Sequence, residues 1–210
     1  MEILDIVDED GNPTGKTVDR KTAHENGILH RTSHLWLVRM SDGTDDFCTW
    51  CKNNTCDKEY LDKVEILIQK RSKNKDSHPG CYDISSAGHI PCGCGFTESA
   101  VRELKEELGV EAEEDELIYI GRRKFEYQEK FHDSLFHDNQ ISNVYMLWRN
   151  VPVSALRLQK EEIEGAEWIG LMECIDKVKN NAIKHCIRPE ELNMIKKEIE
   201  KEYERYSSNF

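Results

Sequence analysis

Several features are missing from this 210-residue chain. No stretch approaches the roughly 18 consecutive apolar residues that a membrane-spanning helix needs, so no membrane association is expected. The first residues, MEILDIVDEDG, mix acids with aliphatics where a secretory signal is basic and then apolar, and a cytoplasmic location is expected. Positive charge is short: 29 Lys and Arg face 41 Asp and Glu, for a net charge of −12. A nucleic-acid polymer is therefore not an expected partner, because backbone phosphates are held by clustered cations that displace counterions. No internal repeat is visible. A small anion is still within reach of an acidic protein, provided a local basic patch or a bound metal reverses the field at the site.

Hydrophobic residues make up 38% of the chain, with four Trp and seven Tyr, enough apolar surface to offset the entropy of ordering. The length suits one globular unit spanning 1–210. Cysteines stand at 48, 51, 56, 81, 92, 94, 174 and 186, and without a secretory signal they are expected as reduced thiols.

EILDIVD and GKTVDR flank DEDGNPTG and predict an N-terminal β-hairpin. HLWLVRM (34–40) is a strand, and residues 41–63, rich in Cys and Asp without periodicity, are expected as a long surface loop. VEILIQKR (64–71) alternates as a half-buried strand does, RSKNKDSHPG is a turn region and YDISSAG a short strand. LIYIGRRKFEYQ, ISNVYMLWR and EGAEWIG are further strands. LMECIDKVKNN and a C-terminal helix over about 189–206 close the chain, with Pro189 suited to a first helical position. Strands interrupted and followed by helices predict an α/β or α+β sandwich.

The chemistry sits in FTESAVRELKEELGV. Thr97 is the expected N-cap, Phe96 and Val101 a hydrophobic staple, Glu98 a charge at the positive dipole end and Gly109 the stop. At about 100° per residue Val101, Leu104 and Leu108 form one stripe, while Glu103, Glu106 and Glu107 share the opposite face. Carboxylates at that spacing repel, costing a helix a few tenths of a kcal/mol per pair. Mg²⁺ or Mn²⁺, which take oxygen ligands and bridge carboxylates to phosphates, would remove the cost. The plainer alternative is a solvated acidic face partly neutralised by Arg102 and Lys105.

The wider stretch GHIPCGCGFTESAVRELKEELGV (88–110) resembles the Nudix box, G-x5-E-x7-R-E-U-x-E-E-x-G-U with U aliphatic. Gly88, Arg102, Glu103, Leu104, Glu106, Glu107, Gly109 and Val110 fall in register, and Cys94 stands where the pattern has its first glutamate. Glu98, one turn before Arg102, is a partial replacement for it or an ordinary ion-pair partner. The resemblance implies the Nudix α/β/α sandwich with a mixed sheet. It also implies metal binding by Glu103, Glu106 and Glu107, an Arg102 that orients a neighbouring glutamate, and hydrolysis of a diphosphate linkage in a nucleoside diphosphate derivative or similar small molecule. A homodimer is a common state in that family.

The order HRTSHLWLV, VEILIQKRSKNKDSHPGCYDISSAGH, the box and EGAEWIGLMEC resembles the Nudix branch related to isopentenyl-diphosphate isomerase. It spans nearly the whole chain apart from the Cys-rich insertion and the C-terminal helix. By that resemblance Arg71 and Lys75 face the diphosphate, and His24, His30 and His89 match metal-binding histidines. His89 is an expected substrate contact as well. Isomerisation is the rival reading, yet Ala87 stands at the isomerase's catalytic cysteine, Glu103 is present where isomerases tend to lack it, and the isomerase's later acidic pair aligns with Asp138 and Gln140. A non-catalytic Nudix-fold binding protein is the third reading. Cys48, Cys51 and Cys56, joined by Cys92 and Cys94, are half of a zinc signal without a proper second pair.

Overall fold

Asp8 closes the first hairpin, its carboxylate accepting the backbone N–H of Asp10 at 3.0 Å and of Asn12 at 2.8 Å. The computed structural model describes residues 2–54, 59–75, 77–131 and 134–208. In chain order the elements are β1 (Ile3–Val7), β2 (Pro13–Asp19), α1 (Arg20–Asn26), β3 (His30–Met40), α2 (Phe47–Asn53), β4 (Val64–Arg71), β5 (Tyr82–Asp83), β6 (Ser86–His89) and α3 (Phe96–Leu108). There follow β7 (Ile118–Phe131), β8 (Ser134–Trp148), β9 (Ile163–Gly170), α4 (Leu171–Lys179) and α5 (Pro189–Ser207).

β1 and β2 pair by themselves, and the other strands form one mixed sheet. β3 lies at its centre, parallel to β8 and antiparallel to β4 and β6; β7 extends the sheet beyond β8, and β9 pairs with β4. Alternation along β3 distributes its side chains between two cores. Trp36 and Val38 join Ile66, Ile68 and Met146 under Leu192, Ile195 and Ile199 of α5. Leu35 and Leu37 join Leu67, Tyr145 and Leu147 under Ala100, Leu104 and Leu108 of α3. The result is the expected α/β/α sandwich, with the N-terminal hairpin and the C-terminal helix in place. Each fully buried Leu or Ile contributes on the order of 2 kcal/mol of transfer free energy.

The structure differs from the expectations at five points. Residues 41–63 are not a plain surface loop: α2 starts at Asp46, whose side chain caps Thr49 N at 2.7 Å, and it buries Phe47, Trp50 and Cys51. Phe47 meets Tyr60 and Tyr203, so the insertion adds to the core beside α5. α1 stands where no element was assigned, capped by Asp19 and ended by Gly27 at φ 63°. YDISSAG is divided between β5 and β6. The N-cap of α3 is Gly95, whose N–H is held by the Glu98 carboxylate at 3.1 Å, while Thr97 lies inside the helix and donates to Glu114. Phe96 does not staple the helix start; it packs on the core and lies beneath the Arg31 and Arg122 guanidiniums. Cys56 lies outside the described residues. Among the described ones Cys48, Cys51, Cys92 and Cys94 form no ligand group.

Candidate active site

The acidic face of α3 looks onto β6 across a cavity of about 320 Å³. β6 is held against β3 in the register Ser33 to Gly88 and His34 to Ala87. Gly88 permits the approach: a Cβ there would lie 2.1 Å from Glu103 Cδ. Glu103 Oε1 accepts from Arg102 at 2.5 Å, and the same guanidinium nitrogen reaches the His89 carbonyl at 3.3 Å. Glu107 is 6% exposed and accepts the Ala87 N–H at 3.3 Å. Burial raises the pKa of Glu103 and of Glu107 to about 7, with the mutual repulsion of the carboxylates adding to it. Glu106 is exposed at the cavity mouth and makes no hydrogen bond or ion pair with any described residue. Two buried carboxylates that resist ionisation, beside a third that is free, form an oxygen donor set of the kind a hard cation would relieve.

A second cluster adjoins the first. α1 supplies His24, the first residue of β3 is His30, the last of β6 is His89, and β8 contributes Asp138. His24, His30 and His89 bring one nitrogen each within 4.8 Å of one another. His24 Nε2 lies 3.2 Å from His89 Nε2, and Asp138 Oδ1 lies 3.7 and 3.8 Å from Nε2 of His24 and His30. His30 Nδ1 donates to the Ile28 carbonyl at 2.8 Å, so its proton sits there and Nε2 presents a lone pair. Both His30 Nε2 and Asp138 Oδ1 are buried without a hydrogen-bond partner. Burial lowers the pKa of all three histidines, that of His24 to about 3, and raises Asp138 to about 6. Neutral imidazoles with lone pairs facing an unsatisfied buried carboxylate fit a transition-metal ion.

Charge in the cavity is unevenly spent. Arg71 is half-buried and gives its donors to Asp83 at 2.9 Å and to the Ser77 carbonyl and hydroxyl, so it shapes the turn around the cavity. Lys75 pairs with Glu162, and burial lowers its pKa to about 8. Arg20 pairs with Glu2 at 3.4 Å and Arg123 with Glu191 at 2.6 Å. Among the described residues Arg102 and Arg188 remain to offset Glu103, Glu106, Glu107 and Asp138, so a diphosphate entering beside the glutamates meets net negative charge unless cations accompany it.

The residues expected from the sequence therefore converge: Arg71, Lys75, His89, Glu103, Glu106 and Glu107 line one cavity, with Arg102 behind Glu103. Glu98 does not enter it; it caps its own helix. His34, Arg123, Arg188 and Glu191 also line the cavity and were not expected. Their only sequence signal is polarity inside strands or at a helix start.

Sandwich and cavity together define a class: an α/β/α protein with the acidic face of a helix lining a polar cavity. The NUDIX domain model matches residues 58–188, and the chain belongs to the Nudix family. It is 36% identical over 164 residues to an uncharacterised Nudix hydrolase of Clostridium acetobutylicum, covering 78% of this chain and 68% of that one. It is 25% identical over 167 residues to the isopentenyl-diphosphate Delta-isomerase of Escherichia coli O127:H6, covering 79% and 75%. Its fold is similar to that of a crystallised Deinococcus radiodurans protein, with a TM-score of 0.56 and 20% identity over 85% of this chain and 90% of that one. Among the described residues no helix is long and apolar enough to cross a membrane.

Proposed function

We propose that the protein is a metal-dependent pyrophosphohydrolase that cleaves the diphosphate linkage of a small molecule. The observation that carries this reading is the approach of Glu103 to Gly88, which seats a carboxylate between helix and strand beside buried Glu107 and free Glu106. Glu103, Glu106 and Glu107 would hold Mg²⁺ or Mn²⁺, which neutralises a diphosphate and acidifies a bound water. Arg102 holds the Glu103 carboxylate in place, and the Ala87 N–H fixes Glu107. Glu106, which has no hydrogen bond or ion pair to any described residue, and Glu107 are the carboxylates proposed to take a proton from the attacking water. Arg71 and Lys75 line the same cavity, paired with Asp83 and Glu162, and are the cations that would position the phosphates.

A second reading has its own support in the histidine and Asp138 cluster. With a transition metal it resembles a centre for proton transfer on an allylic diphosphate, in keeping with the likeness to the E. coli isomerase. Ala87 and Gln140 weigh against it, since neither side chain can move a proton. Incubation with Mg²⁺ and, in parallel, with Mn²⁺, over panels of nucleoside diphosphate derivatives, dinucleoside polyphosphates and isoprenoid diphosphates tests both. Released phosphate or a nucleoside monophosphate supports hydrolysis, an isomerised diphosphate supports the second reading, and unchanged substrates in every panel contradict both.

A further inference from the structure

The cavity continues past the helix glutamates to an end lined by Arg123, Phe125 and Tyr127 of β7, Asp138 of β8, and Arg188 and Glu191 at the start of α5. Arg188 lays its guanidinium over Phe125, 3.8 Å from the ring centroid, and lies 5.4 Å from that of Tyr127. Its guanidinium makes no hydrogen bond or ion pair with any described residue, while its carbonyl accepts the Glu191 N–H at 3.1 Å. Arg123 stacks on Phe125 too, at 4.8 Å, with a side chain 11% exposed. Its Nε is given to Glu191, and its two terminal nitrogens have no partner among the described residues.

A guanidinium that stacks on a ring spends its faces and keeps its in-plane N–H donors, the edge that matches a carboxylate or phosphate in bidentate fashion. Glu191 takes only the Nε of Arg123, and burial holds Asp138 toward its neutral form, so the free edges of both guanidiniums remain open to an added anion. Apolar surface at this end is already in use. Phe125 lies against both guanidiniums, the Tyr127 hydroxyl bonds His78 at 2.9 Å, and Phe136 stacks on His24 at 4.4 Å. An apolar tail would find little to cover it.

The geometry points to a second anion subsite: Arg188 and Arg123 take a phosphate or carboxylate that the substrate carries at a distance from its diphosphate. This rests on the reading of the α3 glutamates as the diphosphate end. The subsite owes its position to α5, whose Glu191 lies beyond the residues that match the NUDIX domain. Glu191 is fully buried and accepts from Arg123 Nε at 2.6 Å, His34 Nδ1 at 2.8 Å and Trp36 Nε1 at 3.1 Å. The segment that fixes Arg123 thus also starts with Arg188, which makes both residues determinants of specificity.

The test is equilibrium binding by calorimetry with Mg²⁺ present, using non-hydrolysable methylenediphosphonate esters of three sugars: one plain, one with a remote phosphate, one with a remote carboxylate. Wild-type protein is expected to hold a charged probe roughly ten- to a hundredfold tighter than the plain one. In Arg188→Gln that ratio should fall to about threefold or less, with Arg188→Lys between, because an ammonium keeps the charge and loses the fork. The better charged probe identifies the group. Equal affinity for all three in the wild type, or a ratio untouched by Arg188→Gln, overturns the subsite. The ratio is read without turnover, so failure of the hydrolase reading shows separately, as no phosphate release from hydrolysable parent diphosphates by the same wild-type sample.

Discussion

The carboxyl carbon of Glu103 occupies the space that any side chain at position 88 would need, 2.1 Å from where a Gly88 Cβ would be. This ties a strand glycine to a helix glutamate. Gly88→Ala is therefore expected to displace Glu103 and lower turnover by about a hundredfold, the scale of a misplacement near 1 Å. Steady-state phosphate release on a hydrolysed diphosphate measures it, and near-normal turnover would detach Gly88 from the site.

Glu106→Gln and Glu107→Gln should each lose about a hundredfold or more in kcat while remaining folded. Glu106 is exposed, so its replacement leaves the unfolding free energy within about 0.5 kcal/mol. Glu107 has its pKa raised to about 7, so its ionised form opposes folding at neutral pH and the neutral amide should leave the protein as stable or more so. Chemical denaturation beside the kinetic assay checks both. Undiminished turnover in the pair contradicts the site assignment.

Glu191 supplies the pH test. His34 and Arg123 hold its pKa at about 2 against an ordinary 4.5, despite the opposing effect of burial. A depressed carboxylate stabilises the fold above its unfolded value and loses that contribution as the pH falls through the folded one. The interval corresponds to stabilisation on the order of 3 kcal/mol. The stability gap between wild type and Glu191→Gln should be largest near neutral pH and narrow from about pH 5 to about pH 3, as read from urea unfolding at each pH. A gap independent of pH would mean that Glu191 is not held as an anion.

The histidine cluster makes a spectroscopic prediction. Cobalt(II) added to the intact protein should develop the visible absorption of a nitrogen-ligated ion, and His30→Asn should abolish it. Absorption that survives the substitution would place the ion elsewhere.

What could be read in advance follows from where the physics is local. Helix α3 announced itself through the spacing of Val101, Leu104 and Leu108 and the stop at Gly109, and its glutamates had to share a face once it formed. The start of β3 is hidden because His30, Arg31, Thr32 and Ser33 are polar yet buried, which breaks the hydrophobic pattern where the site is made. α1 and α2 are short, with too few turns to show a period, although Asp19, Gly27 and Asp46 mark their caps. The His34 to Glu191 hydrogen bond joins residues 157 positions apart, and no local window contains it. Arg71 and Lys75 were placed in the cavity by resemblance, but their pairing with Asp83 and Glu162 follows from the packing of separate elements.

Hydrolysis as proposed requires Glu103, Glu106 and Glu107 to grip a divalent cation against a diphosphate. Crystals soaked with Mn²⁺ and inorganic pyrophosphate, measured for anomalous scattering, address it directly. The expected map shows manganese at about 2.1 Å from carboxylate oxygens of those residues and from a pyrophosphate oxygen. A map with manganese only among His24, His30, His89 and Asp138, and solvent around the three glutamates, would contradict it.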